Sequence, residues 1–211
     1  MPDDRRSVGP EGPPGYFEVA LAQRACRQFD DRPVDDDLVT RCLTAATHAP
    51  SAENLQPWVF VVVRDDDVRR AIADLTRRRW RAAGRPHSEG RLAPGLLADV
   101  DAGAETGLAG APVLVVVGGD TAVAYPSTLA SSVFPAVQNL LLAANALGLG
   151  SALTTLATLE AADLAAILQL PDHVLPLAVL PLGWPARPLG PPRRRPLSEV
   201  AHRDRFGTPW G

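Results

Sequence analysis

The chain has 211 residues, 46% of them hydrophobic, enough for one domain with a real core or one protomer of a compact dimer, and too few for two full domains. A formal net charge of -3 gives no overall basic field, which argues against a nucleic-acid partner and leaves any anion to local arginine clusters. Two cysteines, Cys26 and Cys42, with neither a CxxC nor a His-Cys cluster, argue against a disulfide framework or a zinc site and point to a reducing compartment.

Residues 1–14 are polar and rich in proline and glycine, a composition that predicts a flexible arm and lacks the apolar core of a secretory signal. No 18-residue apolar run is expected to span a membrane, so the chain is read as soluble and cytoplasmic, with no membrane partner. Residues 15–211 are read as a single domain. From Tyr16, the placement of Phe17, Ala20 and Leu21 predicts a first helix that delivers Arg24 and Arg27 near its end. Asp35, Asp36 and Asp37 open a second helix running to His48, their charge favourable at its N-terminus, with Leu38, Cys42 and Ala45 as the inner stripe.

The segment APSAENLQPW, Ala49 to Trp58, carries Ser51, Glu53, Asn54 and Gln56 between Pro50 and Pro57. It stands between the second helix and a buried strand, Trp58 to Val63. Two readings stay open: a connector whose polar groups satisfy local backbone, or a loop presenting ligand-binding groups on a rigid scaffold. Asp65 to Arg85 is predicted as a helix with Val68, Ile72 and Leu75 inside and Arg77, Arg78 and Arg79 solvated. Pro86 to Pro94 is predicted as a loop exposing His87, and the region through Ala109 as variable.

Pro112 to Gly119 is a continuous β-branched run of the kind a sheet covers on both faces. Thr128 to Leu147 has Leu129, Val133, Val137 and Leu141 four apart, widened by Leu140 and Ala144, and predicts a largely buried helix. Gln138, Asn139 and Asn145 are its polar exceptions; a buried amide there ordinarily satisfies backbone. Gly148-Leu149-Gly150 half-matches a dinucleotide loop but follows a helix and lacks the third glycine, so Gly148 is read as a helix cap. A short helix from Thr158 or Glu160 to Pro171 precedes an apolar strand, Val174 to Leu182, whose Pro176 and Pro181 predict an edge or irregular position. Gly183 to Gly211 offers no helix, yet its Leu189, Leu197, Val200, Phe206 and Trp210 want burial. His48, His87, His173 and His202 are scattered without mutual spacing.

Taken in order, Arg24-Ala25-Cys26-Arg27-Gln28-Phe29, Pro33-Val34, the APSAENLQPW loop running into its strand, Gln138-Asn139-Leu140 through Gly150, Leu182-Gly183-Trp184-Pro185 and Arg193-Arg194-Arg195-Pro196-Leu197 resemble the FMN-dependent nitroreductase family over about residues 16–207. The resemblance implies an α+β fold, an α/β/α sandwich with a mixed, mostly antiparallel sheet. It also implies a homodimer in which the tail, residues 184–211, embraces the partner. It implies FMN as cofactor, with its phosphate on Arg24, Arg27 and Arg194 and its surroundings drawn from Ala25, Pro50, Ser51, Asn54, Gln56, Gln138, Thr154 and Thr155. Thr154 and Thr155 are the donors it places at the flavin N5 edge, and the middle of the chain is its mobile lid. The implied activity is two-electron transfer by a ping-pong mechanism from NAD(P)H, as co-substrate, to a nitroaromatic, quinone or related small-molecule acceptor. No side chain is assigned a catalytic role, because the flavin carries the chemistry. Three positions depart from the pattern: Gln23 where a cation is common, Ala25 where a serine is common, and Glu53 where a small residue is common. The first two lower the expected affinity for FMN and motivate an alternative, a flavin-binding protein with little turnover; a specialised dehydrogenase or dehalogenase of the same fold is another.

Overall fold

A computed structural model describes residues 14–210 of the chain. In chain order its elements are α1 (Tyr16–Ala22), α2 (Asp36–Thr47), β1 (Trp58–Val63), α3 (Asp66–Arg79), α4 (Arg85–Ser88), α5 (Pro94–Ala102), α6 (Leu108–Gly110), β2 (Val113–Asp120), α7 (Pro126–Ala146), β3 (Gly150–Ser151), α8 (Ala161–Leu168) and β4 (Val174–Gly183). The flexible arm expected over residues 1–14 falls, but for Pro14, outside the described residues.

β2 is the centre of the fold. Successive side chains of a strand point to opposite faces. Val113, Val115 and Val117, with Ala178, Leu180 and Leu182 of β4, pack under α2 and α7. Leu114, Val116 and Val179 pack against the opposite layer, where Ile72 and Leu75 of α3 meet Leu164 of α8. A strand covered on both faces has no solvent side to need polar residues, which is why its sequence is an unbroken apolar run. Among the described residues the strands form one sheet in the order β1-β2-β4-β3, each pair antiparallel, and an isolated parallel bridge from Ala25 to Ser151 makes it mixed. The α/β/α sandwich expected from the sequence is the fold observed.

Local chemistry accounts for the helix ends. The Asp65 carboxylate accepts from the backbone N–H groups of Asp67 and Val68, both at 3.0 Å, and caps α3. Gly148, at φ +77°, ends α7: its N–H bonds to the Asn145 carbonyl at 3.0 Å and the next N–H, of Leu149, to the Ala144 carbonyl at 2.8 Å. A side chain would be strained in that left-handed turn, so Gly148 serves as the cap expected, and the glycine pair is no dinucleotide loop. Asn139 donates to the Ala45 carbonyl (3.1 Å) and Asn145 to the Val19 carbonyl (3.0 Å), tying α7 to α2 and α1.

Several expectations need correction. The stretch from Pro86 to Pro94 is not a loop throughout, because Pro86 lies in the first turn of α4 and Pro94 begins α5. Proline lacks an N–H that the first helical turn leaves unpaired anyway, so it starts a helix as readily as it breaks one. The region through Ala109 is helical too. π-helical turns at Trp80–Gly84 and Gly103–Gly107 join α3 to α4 and α5 to α6. The two arms are tied by Trp80 Nε1 donating to Asp101 (2.7 Å), an Arg85–Asp101 pair (2.9 Å) and Arg81 Nε donating to Glu105 (2.7 Å). The inner stripe of α2 is Val39, Cys42 and Ala46, one residue on from two of the three positions expected.

β4 lies inside the sheet by order rather than at its edge, and it is the irregular alternative of that expectation that holds. β3, however, pairs only with its last two residues, Leu182 and Gly183. Most of one margin of β4 therefore has no strand beside it, where proline is tolerated, and its pairing with β2 slips in register at Gly118, opposite Pro176. One 3-10 turn, Leu197–Glu199, interrupts the tail expected to hold no helix. α7 is long and apolar enough to cross a membrane by length and composition alone, contrary to the expectation that no such run exists. Here it is the helix that covers the sheet, with Val133, Ala136, Val137 and Leu140 buried.

Leu140 is fully buried against the sheet and Leu159 stands 57% exposed. Leu140→Ala is expected to lower the unfolding free energy by about 2–5 kcal/mol, and Leu159→Ala by less than about 0.5 kcal/mol. Urea denaturation of both variants checks the pair.

Candidate functional site

The segment Arg24 to Phe29 is laid along the end of the sheet. Cys26 N–H bonds to the Ser151 carbonyl at 2.9 Å, and Phe29 bridges Pro185 while Ala186 N–H bonds to the Gln28 carbonyl at 3.0 Å. The seat is tight, since a Cβ on Gly150 would stand 2.6 Å from Cys26 Sγ. Burial pushes the Cys26 thiol above its ordinary pKa, and its S–H is spent on the Gln28 carbonyl at 3.3 Å. Burial likewise pushes Cys42 up to about 11. Both are free, buried, neutral thiols rather than nucleophiles.

Three arginines converge where this segment emerges. Arg27 Nη1 donates to Asp99 Oδ2 at 2.7 Å, and Arg187 Nη2 stands 3.7 Å from Asp99 Oδ1. Arg24 Nη1 donates to the Gly190 carbonyl at 2.9 Å, but among the described residues its buried Nε has no partner. Arg24, Arg27, Arg187 and Asp99 line one cleft with Ala25, and the space left in it is about 20 Å³. Three guanidiniums against one carboxylate, with a buried donor unpaired, is an arrangement suited to an anion.

Arg27 also lines a neighbouring cavity of about 120 Å³, bounded by Thr76, Gly103, Leu108, Leu153 and Thr154. Its walls are mainly apolar, so cleft and cavity together offer a charged end and a greasy end. The position of Arg27 is fixed by α5 and the π turn after it. Asp99, Gly103 and Gly107 recur every four residues, and all three press on Arg27. A Cβ on Gly103 would stand 2.6 Å from Arg27 Cδ, and one on Gly107 would overlap the Arg27 carbonyl oxygen.

Arg24, Ala25, Arg27 and Thr154 are thus brought together. The backbone N–H of Thr154 is not free, however: it bonds to the Val179 carbonyl at 3.0 Å, and Thr154 Oγ1 accepts from Leu156 N–H at 3.3 Å. Thr155 is exposed beside it. Pro50, Ser51, Asn54 and Gln56 lie elsewhere. Their loop packs on α7 through Ala52 N–H to Ser132 Oγ (3.1 Å) and is closed by Gln56 N–H to Ser51 Oγ (3.0 Å) and by Gln56 Nε2 to Asn54 Oδ1 (3.3 Å). Glu53, Asn54 and Gln56 have φ of 53°, 56° and 52°. Three non-glycine residues in the left-handed region within four positions is stored strain of the kind that gathers at ligand-binding loops.

Arg24 shares a pocket with Asn145, thirteen residues along α7 from Ser132. At 1.5 Å per residue, the two sets of groups are about 20 Å apart in one chain. Gln138 is exposed on α7 between them, and Arg194 is exposed in the tail, where it donates to the Arg193 carbonyl (3.0 Å). Arg187 and Asp99 carry no signal in the sequence as ligand-binding residues, although Arg187 is framed by Pro185 and Pro188 directly after β4. None of the four histidines lines the cleft or the cavity. Among the described residues no group of three His, Cys, Asp or Glu is placed to hold a metal ion.

The model of the nitroreductase family matches residues 20–184. The chain is 32% identical over 202 residues to an NADH dehydrogenase of Thermus thermophilus, covering 86% of this chain and 92% of that one. It is 35% identical over 173 residues to 5,6-dimethylbenzimidazole synthase of Rhodospirillum rubrum, covering 77% and 78%. In three dimensions it resembles oxidised iodotyrosine deiodinase bound to FMN and 3-iodo-L-tyrosine, with a TM-score of 0.75, 26% identity and coverage of 90% and 98%.

Gly107→Ala is expected to lower stability by about 1–3 kcal/mol, because the new methyl meets backbone rather than a movable side chain. Gly110→Ala, with nothing within 4 Å of its added carbon, is expected to be within about 0.5 kcal/mol of the parent. Thermal or denaturant unfolding of the two distinguishes a site locked by α5 and α6 from one merely covered by them.

Proposed function

The chain belongs to the nitroreductase family, and from that premise we propose that it is an FMN-dependent oxidoreductase passing two electrons from NAD(P)H to a nitroaromatic, quinone or related small acceptor. The observation that carries the reading is the cleft in which Arg24, Arg27 and Arg187 converge with the Arg24 Nε unpartnered, beside an apolar cavity. FMN fits that combination, having a doubly charged phosphate at one end and a flat apolar ring at the other. Arg24 and Arg27 would hold the phosphate, joined by Arg194 of the tail. Thr154 and Thr155 would offer hydroxyls and the Thr155 N–H to the ring edge.

Ser51, Asn54 and Gln56, with Pro50, complete the reading only if they come from a second copy, since in one chain they stand about 20 Å from Arg24 along α7, and Gln138, midway along that helix at about 10 Å, is read with them. We therefore read the protein as a homodimer whose sites lie between protomers. The exposure of Tyr16 (69%), Phe17 (78%) and Phe206 (93%) in the single chain supports this, since exposed aromatic side chains mark surfaces that a partner covers. The free, buried thiols of Cys26 and Cys42 support a cytoplasmic setting.

FMN, when bound, supplies the two-electron chemistry. The chain's part is to orient and to exclude water. The guanidiniums fix one end of the cofactor, the apolar wall from Leu153 to Leu108 keeps water from the ring pocket, and donors at Thr154 and Thr155 favour negative charge at the ring edge. The glycine pair at Gly148 caps α7 and leaves no separate dinucleotide loop there, so NAD(P)H and acceptor are read as using one volume in turn. The likeness to a deiodinase and a synthase favours a second reading, in which the same site serves a specialised reaction on a ring-bearing substrate.

Arg24→Ala or Arg27→Ala is expected to weaken FMN binding tenfold or more, from a charge-assisted bond worth about 1.5–3 kcal/mol. Fluorescence titration reads this, and unchanged affinity in both variants means that the phosphate sits elsewhere. Initial rates at several fixed acceptor concentrations are expected to give parallel reciprocal plots; intersecting lines mean two sites. Sedimentation is expected to give twice the 22.4 kDa of one chain, and a monomer that retains FMN ends the two-copy reading.

A further inference from the structure

Resting on the flavin reading above, we propose that Asp99 is an internal competitor for the anion seat: its carboxylate holds the place on Arg27 and Arg187 that the phosphate of a phosphate-monoester ligand must take, so that binding requires this carboxylate to withdraw. Asp99 is the acidic residue of the cleft, 2.7 Å from Arg27 Nη1 and 3.7 Å from Arg187 Nη2. Its side chain is only 23% exposed and that of Arg27 25%, so the pair is partly withdrawn from water and its charges are screened less than surface charges.

Space decides whether a ligand can join the cleft as it stands. About 20 Å³ is open within it, room for roughly one water molecule. A phosphate group with three or four oxygens cannot enter until the carboxylate leaves. Charge points the same way. With Asp99 in place the three guanidiniums already carry one counter-charge, and a dianion added beside that carboxylate meets a like charge; with Asp99 withdrawn, the dianion meets three cations alone. Among the described residues Asp99 contacts Arg27 and Arg187 but not Arg24, whose buried Nε has no partner, so the carboxylate satisfies only part of this donor set.

Asp99 is also well placed to report occupancy to the rest of the fold. It stands one turn before Gly103 on the stripe that seats α5 against Arg27. Losing the Asp99–Arg27 bond releases the N-terminal half of that contact, while Gly103 and Gly107 keep the other half. The predicted consequence is that α5 is gripped when the cleft holds its own carboxylate and loosened when it holds a phosphate.

Binding of FMN, riboflavin and inorganic phosphate to the full chain and to its Asp99→Asn and Asp99→Ala variants tests this, by fluorescence quenching for the flavins and calorimetry for phosphate. Both variants are expected to tighten FMN and phosphate about tenfold while leaving riboflavin, which has no phosphate, unchanged. Unchanged or weaker phosphate and FMN binding in both variants overturns the proposal. So does an equal tightening of riboflavin, which would place the effect of Asp99 on the ring pocket. If phosphate tightens as expected while neither flavin binds any form of the protein, the competitor role stands and the flavin reading falls.

Discussion

The site depends on how closely one extended segment is gripped. Residues Arg24 to Phe29 lie between β3 on one side and α5 with its π turn on the other, at separations that leave no room for a Cβ at Gly103, Gly107 or Gly150. Three glycines in two elements far apart in the chain are thus required by a single contact. Cys26 is pinned to Ser151 and Gln28 to Ala186, which fixes where the side chains on either side of Cys26 start, and contacts to Asp99 and to the Gly190 carbonyl then hold the guanidiniums of Arg27 and Arg24.

That convergence is unfavourable by itself. Gathering three cations in a partly buried cleft repels like charges and removes hydration, and leaving Arg24 Nε without a partner adds a desolvation cost. Asp99 offsets part of it. Stability is supplied elsewhere, by the two apolar layers on either face of β2, whose core valines are essentially inaccessible. A rigid apolar scaffold supporting a strained, under-compensated polar site is the division expected when function and stability compete. The loop at Ser51 shows it too, with left-handed backbone at Glu53, Asn54 and Gln56 held by bonds to Ser132 and within the loop.

Features governed by local pattern were readable in the chain. The β-branched run of β2, the four-residue spacing of α7 and the Gly148 cap each follow from periodicity or terminal chemistry, and the structure has them where the residues put them. Proline was ambiguous, since the same residue opens α4 and α5 that elsewhere ends elements, and the helical arms from Pro86 to Gly110 were hidden for that reason. Pro176 and Pro181 pointed to an edge or an irregular strand, and β4 is inner by order, irregular in its register with β2 and bare along most of one margin. At the site, Arg24 and Arg27 stood out by motif, but Asp99 and Arg187 did not. Their roles arise from contacts across 72 and 88 residues of sequence, which no local spacing records. The separation of Ser51 from Arg24 was likewise invisible until α7 gave it a length.

The cleft and cavity are proposed to hold FMN and to use it for two-electron transfer. The most direct measurement is the visible absorption spectrum of the purified full chain, supplied with FMN if colourless, recorded without oxygen before and after NAD(P)H and again after a quinone is added. Flavin absorption is expected to bleach with NAD(P)H and to return with the quinone. A protein that stays colourless with FMN, or whose bound flavin absorption NAD(P)H leaves unchanged, would contradict it.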